Sequence, residues 1–182
     1  LNSLIGEGEM NAEVYLAANS KDQAKISFGM CSTFVKSIDP IGKYLKPYRD
    51  RVNFDKMLST LRVLAADDSK LDGFNASMYL LDEYHAAKNT RLKDVLQSSQ
   101  GMRDDPLGVI ITTAGFDKLG PCYQYRTMCT EVLSGLKPDD SLFALIYALD
   151  AGDDWKDENV WIKSNPNLGV TVKPAYIREQ VQ

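Results

Sequence analysis

Short, nearly continuous apolar stretches alternate along the chain with amphipathic stretches that end at glycine or proline. Apolar runs without strict alternation predict strands that are covered on both faces. A turn-rich loop is predicted between the second and third of these runs. The predicted strands are 12–18, 59–66, 76–81, 106–115 and 140–149, and the predicted helices are 20–37, 89–101, 120–135, 157–165 and 173–181.

This order of strands and helices predicts a three-layer α/β fold, with a mostly parallel sheet and helices on both faces. We expect one domain over 1–182, in which about 151–182 forms a peripheral helical or linker segment. Ligands of such sheets bind outside the carboxyl ends of the strands. The side chains that follow the strands are therefore the first candidates for a site: Asn19, Asp82, Glu83, Thr112 and Thr113.

Composition narrows the class of protein. The formal net charge is −4 and the isoelectric point is about 5.0, which argues against a surface coated for nucleic acid but leaves room for a few phosphate contacts. No apolar run approaches the roughly 20 residues of a membrane helix. The sequence starts at Leu1 rather than Met, so we expect a piece of a longer protein.

Asp82 and Glu83 follow four apolar residues in "MYLLDEYH". An Asp at such a strand end holds Mg²⁺ in P-loop nucleotide hydrolases, and a neighbouring Glu can take a proton from the attacking water. The alternative is an exposed strand end that leads into a capped helix. His85 extends the pair to the D-E-x-H pattern of superfamily-two helicases, although a partly buried histidine at a helix start would look the same.

Thr112 and Thr113 end the next predicted strand, in "VIITTAG". Their hydroxyls would come close to Glu83 or to a γ-phosphate at the same edge of the sheet. They could equally be ordinary β-branched strand residues. Together with the two carboxylates they form a constellation rather than a single motif.

At this point the chain resembles the large subunit of tailed-phage terminases, the DNA-packaging motor. The resemblance rests on the order of "AEVYLAANSKDQA", "KLDGFNASMYLLDEYH", "GMRDDPLGVIITTAG", "VLSGLKPDD" and "IKSNPNLG". It implies a sheet of the P-loop NTPase type that uses ATP and Mg²⁺. Asp82 would bind the metal and Glu83 would be the catalytic base. Thr112 and Thr113, with His85, would couple the nucleotide state to DNA movement.

The resemblance also implies partners: double-stranded DNA, the terminase small subunit, the portal protein and further copies in a ring, in the cytoplasm of a bacterial host. Arg103 could reach a neighbouring subunit's γ-phosphate, or pair on the surface with Asp104 or Asp105. Candidate DNA contacts are few, and an ordinary amphipathic surface explains most of them equally well; they are Asn19, Lys43, Lys46, Arg49 and Arg51.

Two parts of the family pattern are not found in the sequence. A phosphate-binding loop is expected before Ala12, within one βαβ unit, and the nuclease domain is expected after Gln182. We therefore expect a truncated ATPase domain with little activity alone. A superfamily-two helicase-like motor and a catalytically silent interaction module remain as alternatives, while "TTAG" and "NPNLG" favour the terminase.

Overall fold

A six-stranded sheet organises the amino-terminal part of the computed structural model, which describes residues 1–66, 71 and 73–181. The strand order is β2-β3-β4-β1-β5-β6. β4, β1, β5 and β6 are parallel, whereas β2 and β3 form an antiparallel hairpin at one side. The strands are β1 Glu13–Ala18, β2 Leu45–Pro47, β3 Arg51–Phe54, β4 Ser59–Ala65, β5 Ala76–Asp82 and β6 Leu107–Ile111.

Helices alternate with the strands along the chain, and further helices occur in a second unit. The chain divides into compact units at Leu1–Met128 and Cys129–Gln182. Short 3₁₀ turns lie at Asp55–Met57, Tyr84–Ala86 and Glu158–Val160. The helices are α1 Asn2–Ile5, α2 Lys21–Ile38, α3 Arg91–Ser98, α4 Pro121–Leu133, α5 Trp161–Ser164 and α6 Pro174–Val181.

The side-chain alternation of β1 builds two cores, one on each face of the sheet. Val14 and Leu16 face α2, which packs there through buried apolar residues. Tyr15 and Ala17 face the opposite side, where α3 packs. From β1 the chain passes through α2 to β4, whereas β5 leads through α3 to β6 on the other side. The winding direction therefore reverses between the adjacent strands β1 and β5, which is where ligands of such sheets bind.

β6 is an open edge of the sheet, because no strand pairs with its outer side within the described residues. Leu107 and Ile111 are 49% and 46% exposed, and they share a face with Met78 and Leu80, on the α2 side. Along α2, exposed apolar residues recur every four positions at Ile26, Met30, Phe34 and Ile38. Exposed apolar side chains therefore lie on α2 and on the face of β6 that points to the same side of the sheet.

Most strand predictions are confirmed within one or two residues, but 106–115 is too long, since β6 ends at Ile111. The prediction for 140–149 is wrong: the structure gives these residues no strand pairing among the described parts of the chain. An apolar pattern supplies a strand only when a neighbour completes the ladder. The β2–β3 hairpin was not predicted. Most of the predicted loop, residues 67–70 and 72, lies outside the described residues.

The second unit is held by local polar contacts. Trp161 is buried, and its indole N–H donates to the Trp155 carbonyl at 2.8 Å. Lys163 pairs with Asp150 and Asp153 at 2.6 and 2.9 Å. Across the described residues of both units, no helix has the length and apolar character needed to span a membrane.

Candidate functional site

Glu83 is held in a strained backbone conformation at the end of β5. Its φ and ψ are 54° and 45°, in the left-handed region. For a residue with a Cβ this region costs about 1–2 kcal/mol. The next residue, Tyr84, is 2% exposed and meets the Tyr125 ring edge-on at 6.2 Å; burial raises the pKa of Tyr84 to about 12. Strain of this kind concentrates at functional sites, where the surrounding packing maintains it.

Asp82 is the last residue of β5 and lies beside Ala18, the last residue of β1. The hydroxyl of Ser27 on α2 donates to Oδ2 of Asp82 at 2.9 Å. Within the part of the chain that the structure describes, Oδ1 takes no hydrogen bond. Asp82 therefore has one oxygen fixed by α2 and one available to a ligand.

His85 lies between the Glu83 carboxylate and the two threonines after β6. The backbone N–H of His85 donates to Thr112 Oγ1 at 2.9 Å, and its ring Nδ1 is 3.1 Å from the same oxygen. Thr113 Oγ1 is 3.4 Å from Nδ1. A Cβ on Gly115 would come within 2.9 Å of the His85 Cβ, so only glycine allows this close approach. The structure thus brings together the predicted coupling residues.

Glu83 Oε2 lies beside His85 in this cluster but takes no hydrogen bond from the described residues. Thr112 donates its own proton to the Thr113 carbonyl at 2.9 Å. With that proton committed, an Nδ1–H on His85 would donate to Thr112 Oγ1, 3.1 Å away. Glu83 Oε2 is only 3.0 Å from Nδ1 but lacks hydrogen-bond geometry, and this oxygen is buried without a partner. Glu83 therefore has an oxygen that no described donor engages, and such unsatisfied buried atoms are rare and often mark functional sites.

A cavity of about 220 Å³ opens between the ends of β1 and β5. Asp82 and Glu83 line one side of it, and Asn19 lines another. Cationic side chains also line it, among them Lys88 and Arg91, which are exposed. The cavity thus combines carboxylates with positive charge at the point where the winding of the sheet reverses.

The donor set fits Mg²⁺ in a nucleotide complex. Mg²⁺ is usually held by one or two carboxylates, several waters and substrate phosphates. No cluster of three or more His, Cys, Asp or Glu side chains suited to a metal occurs among the described residues. Asp82, with one free oxygen, therefore fits a shared protein–phosphate site better than a closed protein cage.

Comparison with known sequences decides the family. A sequence model of the terminase large subunit ATPase domain matches residues 1–131, well over half of the chain. The chain belongs to the terminase large subunit family. The model of the family's endonuclease domain matches residues 137–182. That match includes the predicted linker at 151–182, and it begins before Gln182 rather than after it.

Individual relatives of this terminase chain agree with the family match. Protein YmfN of Escherichia coli (strain K12) is 41% identical over 111 residues, which cover 61% of this chain and 24% of that protein. The terminase large subunit of Lactococcus phage p2 is 21% identical over 192 residues, covering 100% of this chain and 34% of that protein.

A solved structure shows the same fold. The crystal structure of the HK97 bacteriophage large terminase superposes with a TM-score of 0.82 at 17% identity, over 99% of this chain and 37% of that one. The chain thus spans roughly a third of the length of the terminases it matches. These matches do not favour the helicase-like alternative.

Arg103 is committed to contacts within the terminase chain, at the opposite edge of the sheet from Glu83. Its side chain is 6% exposed and pairs with Glu9 at 2.6 Å. It also donates to the carbonyls of Asn11, at 2.8 Å, and Asn75, at 2.6 and 3.1 Å. A role at a neighbouring subunit's phosphate would require these bonds to break. These contacts support a structural role for Arg103, and its ion-pair partner is Glu9 and not Asp104 or Asp105.

The basic candidates for DNA contact lie on the β2–β3 hairpin or just before it. Arg49 lies at the tip of the β2–β3 hairpin. This tip lies at the carboxyl edge of the sheet, since the Asp50 carbonyl accepts a hydrogen bond from the Val63 N–H near the end of β4. Lys46 pairs with Asp55. The other two cations stack on tyrosines, Lys43 over Tyr44 at 4.9 Å and Arg51 over Tyr48 at 4.8 Å. Asn19 lies apart from these, in the cavity beside Asp82.

Two features of the site were not found from the sequence. Ser27 is one of several serines on a predicted helix, and no local pattern distinguishes it. The left-handed backbone of Glu83 also has no signal, because glycine or asparagine usually marks that conformation. Ser20 is the N-cap of α2, where its hydroxyl accepts a hydrogen bond from the Gln23 N–H at 3.4 Å.

Proposed function

We propose that this chain supplies the metal-binding and water-activating carboxylates of an ATP-hydrolysing DNA-packaging motor. The observation that carries the proposal is the pair Asp82 and Glu83 at the winding reversal, where Glu83 is strained and has a buried, unpaired oxygen. A plain helix start would not need to hold a carboxylate in that state.

The proposed reaction is hydrolysis of the γ-phosphate of ATP. Glu83 accepts a proton from water while the water oxygen bonds to the γ-phosphorus, and the bond to the bridging oxygen breaks to give ADP and phosphate. Asp82 would hold the cation through Oδ1. Mg²⁺, when bound, would offset charge on the phosphate oxygens. A general base contributes about 10²–10⁴-fold to such a rate.

The cluster of His85, Thr112 and Thr113 is proposed to couple the site to β6. A change in the proton or water that Glu83 holds would alter its contact with His85, whose Nδ1 lies 3.0 Å from Glu83 Oε2. Two bonds then link His85 to Thr112, one from the backbone and one from the ring. The end of β6 would therefore respond to the nucleotide state.

The phosphate-binding loop is proposed to belong to a strand–helix unit whose strand pairs with the open edge of β6. Strand–helix–strand crossovers between parallel strands are right-handed. A connection from a strand beside β6 to β1 would run across the sheet in the same direction as the connection from β1 to β4. Its helix must then lie on the α2 face. The exposed apolar side chains of Met30 and Phe34 would pack against such a helix.

The partners of the whole motor follow from the family and stay proposals for this chain. They are double-stranded DNA, the terminase small subunit, the portal protein and further copies in a ring, within the cytoplasm of a bacterial host. Among the candidate DNA contacts, Arg49 is favoured by position because it shares the carboxyl edge with Asp82. Strand spacing places β3 about 14 Å from β5.

The test is steady-state ATP hydrolysis by the full-length parent protein. Glu83→Gln and Asp82→Asn are each expected to lower the rate at least 100-fold. Asp22→Asn is the matched control: its side chain is 97% exposed at the start of α2, so its activity should be unchanged. The 182-residue chain alone should hydrolyse little ATP. Full activity in both site variants would show that Asp82 and Glu83 do not carry the hydrolysis, and would overturn the proposal.

A further inference from the structure

Ser27 is a polar residue on the side of α2 that faces β5. Ala24 and Phe28, which precede it by one turn and follow it directly, are buried at 1% and 5% exposure. They fix the rotation and depth of the helix over the sheet. Ser27 is thereby held with its hydroxyl 2.9 Å from Asp82 Oδ2. This contact joins residues 55 positions apart, so it is a product of the fold and not of local turn chemistry.

The hydrogen bond makes the two oxygens of Asp82 unequal. Oδ2 is engaged by Ser27, which leaves Oδ1 as the better ligand atom for a cation. Mg²⁺ demands octahedral geometry at about 2.0–2.1 Å and takes carboxylates through single oxygens in nucleotide sites. Ca²⁺ accepts six to eight oxygens at 2.3–2.6 Å, with carboxylates often bidentate. A carboxylate with one oxygen engaged therefore suits the smaller ion.

We propose that Ser27 is a positioning residue that presents Asp82 to the cation through one oxygen and thereby favours Mg²⁺ over Ca²⁺. The inference rests on the proposed function only in taking Asp82 as the metal ligand. Groups that orient a metal-binding carboxylate typically contribute 10–100-fold to metal affinity. Ser27 would contribute through the rotamer of Asp82 and not through contact with the metal.

A purely structural role for Ser27 predicts a different outcome. The same hydrogen bond also ties α2 to β5, and its loss would lower stability by about 1 kcal/mol whatever the ion. Such a loss would not change the ratio of Mg²⁺ to Ca²⁺ affinities. The ratio is therefore the measurement that separates positioning from support.

The experiment titrates Mg²⁺ and Ca²⁺ separately by calorimetry into the full-length parent protein bound to a non-hydrolysable ATP analogue. Ser27→Ala is expected to weaken Mg²⁺ about tenfold and to change Ca²⁺ much less. Ser27→Thr keeps the hydroxyl and should restore the Mg²⁺ preference. Thr33→Ala is the matched control, because that hydroxyl bonds only to the Gly29 carbonyl of its own helix, at 3.0 Å.

The same titration on Asp82→Asn separates this proposal from the proposed function. If Asp82→Asn leaves Mg²⁺ binding unchanged, Asp82 is not the ligand and both fail. If Asp82→Asn weakens Mg²⁺ while Ser27→Ala does not, only the role of Ser27 is overturned. Equal weakening of both ions by Ser27→Ala also overturns it. Should Ser27→Ala fold poorly, Ser27→Cys keeps the volume with a weaker donor and should give an intermediate loss of Mg²⁺ preference.

Discussion

Truncating Arg103 is expected to unfold the amino edge of the sheet without touching the catalytic chemistry. The guanidinium joins two other segments of the chain, the one before β1 through Glu9 and the Asn11 carbonyl, and the one before β5 through the Asn75 carbonyl. Since the Arg103 side chain is only 6% exposed, water has little access to these contacts in the folded protein. Arg103→Ala would leave two carbonyl oxygens and a carboxylate without their donor.

The size of the effect follows from burial and charge. Removing one partner of a buried ion pair costs about 3–5 kcal/mol. The Glu9 side chain is 35% exposed, so water recovers part of the loss. We therefore expect Arg103→Ala to lower the free energy of unfolding by about 3 kcal/mol. Arg103→Lys keeps the charge but loses the forked geometry, and about half of that loss is expected.

Urea unfolding of the 182-residue chain measures this change, and Arg49→Ala is the control because Arg49 is exposed on a hairpin tip. ATP hydrolysis by the full-length parent protein is measured beside it, at a temperature where the variant stays folded. Arg103→Ala is expected to lower the free energy of unfolding and to retain ATP hydrolysis. A stable Arg103→Ala protein without hydrolysis would refute it and restore a role at a neighbouring subunit's phosphate.

Three further outcomes are expected, each measured by denaturant unfolding. Gly108→Ala should cost about 1–3 kcal/mol, because the added Cβ would lie 2.6 Å from the Tyr79 hydroxyl, and a double-mutant cycle with Tyr79→Ala should show strong coupling. Leu58→Gly should stabilise the chain by about 0.5–1 kcal/mol, since Leu58 is left-handed at φ 55° and 64% exposed; a loss would contradict this. The pKa of Glu9 lies below its usual range: burial raises it, but hydrogen bonds from Arg103 and Ser77 and the Arg103 charge outweigh burial. The stabilisation from Glu9 is therefore fully present above about pH 4.3, the ordinary pKa of a glutamate. It is lost as the pH falls through the lower pKa of Glu9 in the folded protein. Glu9→Gln should therefore make the free energy of unfolding less dependent on pH on the acid side.

The carboxylate pair could be predicted from sequence because its signal is local. An apolar strand that ends in Asp82 and Glu83 defines both the strand and the edge at which the carboxylates lie. The contact with Ser27 could not be predicted, because it depends on β5 pairing with β1 and on the rotation of α2. Both are set by packing across the sheet and leave no mark within a few residues of Ser27.

The prediction for Arg103 shows the same limit. Two aspartates follow it directly in the sequence, but its partner is Glu9, 94 residues away. A surface pair was the natural expectation for an arginine beside acidic residues. Sequence distance hides such contacts, because the amino ends of parallel strands meet only after the sheet has formed.

The predicted strand 140–149 and the unpredicted hairpin failed for related reasons. A strand needs a partner ladder, and 140–149 has none among the described residues. The β2 strand, in contrast, has three residues and contains Pro47, so its own sequence argues weakly for a strand. Pairing with β3 stabilises it, and β3 in turn pairs with β4.

The central claim is that Glu83 takes the proton of the attacking water. The most direct test is single-turnover cleavage of bound ATP by full-length Glu83→Gln protein, with ATP affinity measured on the same sample. The Glu83→Gln protein is expected to bind ATP with near-normal affinity and to cleave it at least 100-fold more slowly. Cleavage at the rate of the unmodified protein, with ATP bound normally, would contradict the claim.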